Sequence, residues 1–187
     1  MEEKDKKTGE NKENTSVALE LFGWAQSLIW ALLVLVFISS FFVRISGVNG
    51  DSMYPTLHHG DRMLLRLNYN EPKHGDIVVV MAPGFDENEP LVKRIIAVAG
   101  DEIDIDDEGN VWVNGEHLYE PYVNEQYFNG GSMSYPYYVP EGHVFVMGDN
   151  RNYSADSRAE YIGALKVEDI IGRVFFRMWP MNSFGGL

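Results

Sequence analysis

Behind a charged N-terminal segment, Leu21 to Val43 (LFGWAQSLIWALLVLVFISSFFV) runs for 23 residues without an ionisable side chain. As a helix this stretch reaches roughly 35 Å, enough to cross a hydrocarbon core of about 30 Å. From Leu28 to Phe42 only Ser39 and Ser40 break the apolar pattern, so such a helix keeps no polar face for water. The run is too long for an ordinary signal-peptide core, and Phe41, Phe42 and Arg44 stand where a cleavage point needs small residues. The pattern therefore predicts an uncleaved membrane anchor. Lys4, Lys6, Lys7 and Lys12 precede it and favour an N-terminus inside the cell. The expected division is a disordered cytoplasmic tail over 1–18, a transmembrane anchor over 19–43 and an extracytoplasmic domain over 44–187.

Beyond Arg44 the apolar positions regroup into short runs cut by turn residues, such as DIVVVMAPG at 76–84 and VKRIIAVAG at 92–100, which predict strands. Residues 102–118 alternate apolar and polar positions on both sides of Asp107-Glu108-Gly109-Asn110, the pattern of a hairpin with one wet face. IIGRVFFRMWP, 170–180, predicts a last strand, whereas Glu120 to Pro140, with Gly130-Gly131 and many aromatic residues, predicts a long irregular excursion. Long helical periodicity is missing after the anchor. The fold class expected is mainly β, an antiparallel sheet folded or closed on itself.

Composition narrows the chemistry. With no cysteine, disulfides, thiolate nucleophiles and cysteine-bound zinc are excluded. A net charge of -13 argues against nucleic acid as a partner, since a phosphate-tracking surface needs a basic excess. No cofactor or metal is expected: the acidic run Asp101 to Glu108 lacks the spacing and central glycine of a calcium loop and reads as a solvated hairpin face.

Three segments could carry a reaction. Ser52 lies in GDSMYPTLHHGD, where Gly50 and Pro55 turn the backbone and can present a hydroxyl, although a serine in such company is equally an ordinary turn residue. Lys93 sits in a β-branched run, on the face opposite to Val92 and Arg94, and is either solvated or buried. A buried lysine would have to fall by roughly three pH units from about 10.4, some 4 kcal/mol, to act as a base near neutrality. The third segment, GDNRNYSADSR at 148–158, reads as a polar surface loop in which Asp156 and Arg158 could pair and Ser154 could offer a hydroxyl to an amine.

In this order, and after an N-terminal span, these segments resemble the boxes of bacterial type I signal peptidases, in the single-span form of Gram-positive bacteria. Ser52-Met53-Tyr54-Pro55-Thr56-Leu57 is similar to the nucleophile box, and Asp61 to Leu67 to the strand after it. Gly75-Asp76-Ile77-Val78 with Val92-Lys93-Arg94-Ile95 through Gly100-Asp101 is similar to the base box. Gly148-Asp149-Asn150, Ser154 and Asp156-Ser157-Arg158 match the last box, and the likeness extends from the anchor to about Trp179.

The resemblance implies a serine endopeptidase with a Ser/Lys dyad, which removes signal peptides from exported preproteins after small residues. Ser52 is the implied nucleophile and Lys93 the implied general base, with Ser154 orienting the amine and Arg94, Asp149, Asp156 and Arg158 supporting the site. Gly50 stands where many two-span relatives carry a serine that helps to hold the oxyanion, so that hole must rest on backbone N–H groups, chiefly that of Ser52. Val48, Met53, Leu57, Leu91 and Val92 are the candidate walls of shallow apolar substrate pockets, beside Gly50 and a strand at 76–80. Expected partners are preprotein signal peptides and the lipid bilayer, with Trp179, Met181, Phe184 and tyrosines of the excursion as candidate lipid contacts. Oligomeric state cannot be read from the sequence. Two rivals remain: a Ser/His/Asp hydrolase using Ser52 with His58, His59 or His143, and a noncatalytic membrane-anchored binding protein of the same fold.

Overall fold

The computed structural model describes residues 2–82, 89–125 and 130–187, with side chains from residue 19 onward except Ile38. It divides into two units, Met1–Phe42 and Val43–Leu187. The first is one helix, α1 (Glu2–Phe42), whose stretch Leu19–Phe42 has a mean hydropathy of 2.2 and is long and apolar enough to cross a membrane. Helix continues through 2–18, where the sequence predicts disorder. Those residues contain no proline and several glutamates and lysines, which cost little in a helix.

The second unit is antiparallel β. Its larger sheet runs β1 (Val43–Gly47), β2 (Arg62–Arg66), β11 (Ile170–Trp179), β3 (Ile77–Val80), β4 (Leu91–Val98), β9 (His143–Met147) and β10 (Leu165–Lys166), with β12 (Gly185–Gly186) added to β11. The smaller sheet runs β7 (Glu116–His117), β6 (Val111–Val113), β5 (Glu102–Ile105) and β8 (Tyr137–Tyr138). The expected hairpin is β5 and β6, with Ile103 opposite Val113 and Ile105 opposite Val111. Its turn is held by the Asp106 carboxylate, which accepts the N–H groups of Glu108 and Asn110. The run predicted as the last strand is β11, and only the two-residue β12 follows it. β11 pairs with both β2 and β3 and shifts register three times, bending the sheet as bulges do.

β3 shows why its sequence is an unbroken apolar run. Ile77 and Val79 pack into one cluster with Val48, Met53, Leu57, Met63, Leu65, Val92 and Val174, while Val78 and Val80 pack on the opposite face with Ile95, Val144, Val146, Ile162 and Leu165. A strand buried on both faces cannot alternate. A third cluster, with Ile96, Ile103, Val111, Phe145 and Met147, joins the small sheet to the large one. β3 is interior, paired to β11 and β4, so the strand expected beside the substrate has no free edge to offer.

Candidate active site

Ser52 lies in the turn after β1, and Lys93 is the third residue of β4. The structure brings them together: Lys93 Nζ lies 2.8 Å from Ser52 Oγ. Directly across from Lys93 stands Val78 of the interior strand β3, and the lysine is only 2% exposed. Burial lowers its pKa from 10.5 to about 8; Asp156 and Asp149 pull it back up and Arg158 pushes it further down. The amine is therefore available as a proton acceptor at mildly alkaline pH.

The approach to Ser52 turns at Gly50, whose φ of +84° favours glycine. Gly50 N–H donates to His59 Nδ1 at 3.1 Å, Tyr54 N–H donates to the Asp51 carbonyl, and among the described residues the Ser52 N–H donates to no acceptor. The turn 148–150 secures the loop from the other side. Asn150 N–H donates to the Ser52 carbonyl and Asn150 Nδ2 to that of Asp51, each at 3.0 Å. Gly148 permits this approach, because a Cβ there would lie 2.5 Å from the Ser52 carbonyl oxygen and 2.3 Å from Ser154 Oγ.

Four charged side chains brace the pair. Arg94, on β4, grips Asp149 with two parallel bonds, Nε to Oδ1 at 2.8 Å and Nη2 to Oδ2 at 2.7 Å, and Asp149 is fully buried. Thr56 also donates to Asp149. Arg158 pairs with Asp156 through Nε to Oδ1 at 2.8 Å and Nη2 to Oδ2 at 2.9 Å, and Asp156 accepts the Gly148 N–H at 2.9 Å. Burial raises the Asp156 pKa, but the Arg158 hydrogen bonds and charge outweigh it and hold the carboxyl below its usual range. The Asp156 carboxylate thus keeps its charge while the amine can lose its own.

Two of the candidate residues lie apart from the contacts described so far. Ser154 Oγ is buried beside Gly148, and the Ser154 side chain helps to lower the Asp156 pKa, which places it next to a carboxylate that in turn acts on the lysine amine. Leu91 lies on the same face of β4 as Lys93. Val48, Met53, Leu57 and Val92 share one cluster, whereas Leu91, one residue from Val92 along a strand, packs with the cluster on the opposite face. None of the hydrogen bonds made by the histidines reaches Ser52: besides His59, His74 pairs with Asp101 and His143 with the Glu141 carbonyl. His58 makes an edge contact with Tyr54.

A family model described as signal peptidase, peptidase S26, matches residues 21–179. The chain belongs to this family. It is 35% identical over 183 residues to signal peptidase I of Bacillus licheniformis, covering 92% of this chain and 94% of that one. It is 37% identical over 174 residues to thylakoidal processing peptidase 1 of Arabidopsis thaliana, where the match takes in 85% of this chain and spans 48% of the plant protein. A crystal structure of a signal peptidase I from Enterococcus faecalis, 29% identical, overlays with a TM-score of 0.47 over 55% of this chain and 96% of that one.

Within this signal peptidase family member the sequence boxes account for both arginine and carboxylate pairs, yet three contributors escape them. Arg151, fully buried, donates to the Gly148 carbonyl and is paired with Glu120, and the ring of Tyr122 lies 3.9 Å from the Arg94 guanidinium carbon. A buried arginine demands a carboxylate, but no spacing rule points from position 151 to position 120.

Proposed function

We propose that this chain is a membrane-bound type I signal peptidase, a serine endopeptidase with Ser52 as nucleophile and Lys93 as general base. Lys93 takes the Ser52 proton as Oγ attacks the scissile carbonyl, and the tetrahedral oxyanion is held by backbone N–H groups, chiefly that of Ser52. The amine then gives the proton to the departing α-amino group of the mature protein, leaving the signal peptide esterified to Ser52. Water, deprotonated by the same amine, breaks that ester and restores both residues. Arg94, Asp149, Asp156 and Arg158 hold the frame. Val48, Met53, Leu57, Leu91 and Val92, with the backbone at Gly50, are the candidate walls of apolar pockets that suit small residues beside the cut.

The observation that carries this reading is the 2.8 Å contact between a buried lysine amine and the Ser52 hydroxyl. Its test compares Ser52→Ala and Lys93→Ala with the parent for cleavage of a preprotein in detergent. Both variants are expected to stay folded and membrane-bound while losing turnover, and substantial cleavage by either one sinks the dyad. Replacing the five histidines one at a time is expected to leave turnover in every case.

α1 is the membrane anchor in this reading, with the N-terminus cytoplasmic and the peptidase unit outside. A lipid contact is proposed for the outward face of β1, β2 and β11, where Ile45 stands opposite Leu64 and Leu64 opposite Phe176. Trp179 and Phe184, 55% and 56% exposed, continue that face, and Arg62 and Arg66 flank it for anionic headgroups. Flotation of a protein lacking residues 1–44 with anionic liposomes tests this contact, and equal recovery in the soluble fraction with and without liposomes refutes it.

A further inference from the structure

Glu120 opens the aromatic excursion, three residues beyond β7, and its carboxylate lies where two arginine systems meet. Oε2 accepts from Arg151 Nη1 at 2.9 Å; Oε1 accepts from Arg151 Nη2 and, at 2.8 Å, from the Tyr122 hydroxyl. Two paths leave it. One passes through the buried Arg151, whose Nε donates to the Gly148 carbonyl at 3.0 Å. The other passes through the Tyr122 ring to Arg94, stacked at 3.9 Å, and from Arg94 to both oxygens of Asp149. The paths end on adjacent residues of the turn whose Asn150 N–H grips the Ser52 carbonyl. They close a ring.

Further along the excursion the contact is renewed: Glu125 accepts the Asn152 N–H, and the N–H groups of Ser132 and Met133 both donate to the Arg158 carbonyl. The segment predicted as an irregular excursion is thus tied to the last box on both sides of residues 126–129. Tying is costly to undo at Glu120 in particular, because its removal takes two charge-assisted hydrogen bonds from the buried guanidinium of Arg151 and breaks a network whose members support one another.

We propose that Glu120 is a positioning residue for the Ser52 and Lys93 pair, acting through Arg151 and Arg94 without touching substrate. The proposal rests on the dyad reading above. Its consequence reaches the amine through water. Burial is the largest influence keeping Lys93 below its ordinary pKa, and the charged groups that act on it, Asp156, Arg158 and Asp149, all sit on or beside the turn that the ring immobilises. Loosening the ring admits solvent to the amine, and the amine then holds its proton to higher pH.

The test measures kcat and KM for a preprotein across pH 6.5 to 10, using the full chain in detergent with Glu120→Gln and Glu120→Ala. Glu120→Gln keeps the size of the side chain and removes its charge. At pH 7.5 its kcat is expected to fall about tenfold with KM held within about twofold, the signature of lost transition-state geometry. The acid limb of its rate profile is expected to move upward by about half a pH unit or more, so that the deficit shrinks at pH 10. Partial misfolding lowers the rate equally at every pH. A pH-independent deficit in Glu120→Gln, or full parental activity, therefore overturns the proposal, and Glu120→Gln decides alone if Glu120→Ala does not fold. Lys93→Ala, run alongside, separates the two levels: turnover by that variant overturns the dyad and this proposal together, whereas an inactive Lys93→Ala beside a pH-independent Glu120→Gln deficit overturns this proposal only.

Discussion

Replacing Lys93 by methionine is expected to abolish turnover and yet make the folded chain more stable. In the folded state the amine is 2% exposed, and its pKa falls from 10.5 to about 8. That fall corresponds to about 3 kcal/mol at 1.36 kcal/mol per pH unit, an order-of-magnitude figure. Its direction follows from proton counting. Below pH 8 the lysine is charged in folded and unfolded chains alike, and the folded state carries the whole penalty of a buried ammonium. Between 8 and 10.5 the unfolded chain binds more protons, so stability climbs with pH; above 10.5 both states are neutral and the penalty is gone. Methionine has nearly the same length and volume, no charge to desolvate, and forgoes a hydrogen bond to Ser52 worth a net of about 1 kcal/mol. The variant is therefore expected to lead the parent by about 2 kcal/mol at pH 7, with the lead disappearing by pH 11. Urea unfolding of the full chain in detergent, followed by tryptophan fluorescence at both pH values, measures it. A variant no more stable than the parent at pH 7, or a lead that persists at pH 11, refutes the buried-amine argument.

Other consequences follow from the same geometry. With an amine near pKa 8, the neutral fraction rises from about one tenth at pH 7 to about nine tenths at pH 9, so kcat/KM for a preprotein is expected to rise about tenfold across that interval; a flat profile contradicts Lys93 as the base. Arg94→Lys replaces a planar fork by a point charge and cannot span both oxygens of the buried Asp149. A loss of about 2 kcal/mol in urea unfolding is expected, together with reduced turnover at every pH. Gly148→Ala places a methyl 2.5 Å from the Ser52 carbonyl oxygen and 2.3 Å from Ser154 Oγ. It is expected to cost about 1 to 3 kcal/mol and most of the activity, measured by unfolding and by preprotein cleavage.

Much of the β architecture was legible because burial and period agree. The hairpin at β5 and β6 alternates as its one buried face requires, and the uniform run of β3 is apolar because both faces are covered. What escaped reading depends on contacts distant in sequence. Leu91 and Val92 are neighbours of like chemistry, and only the strand's pleat sends one to each face. Ser154 matches its box, but that its hydroxyl lies where a Cβ on Gly148 would stand is a contact the spacing of the box does not give. Glu120 and Tyr122 belong to a stretch without periodicity, and their partner Arg151 lies 31 residues from Glu120.

The fate of Lys93 shows how the three boxes depend on one another. In isolation VKRII suits an exposed strand lysine as well as a buried one, for alternation fixes the face and not whether the face is covered. Lys93 shares its face with Val78 directly opposite and with Ile95 two residues on. Val78 and Ile95 belong to a cluster that includes Ile162 and Leu165, with Ala155 and Ala159 packed against it, all four from the chain that follows the 148–150 turn. The segment whose turn holds the Ser52 carbonyl therefore also packs against the apolar neighbours of Lys93. In the dyad reading, hydroxyl placement and the lowered pKa of the amine both depend on how this segment docks: displacing 148–165 is expected to raise the Lys93 pKa toward its ordinary value and to free the Ser52 carbonyl.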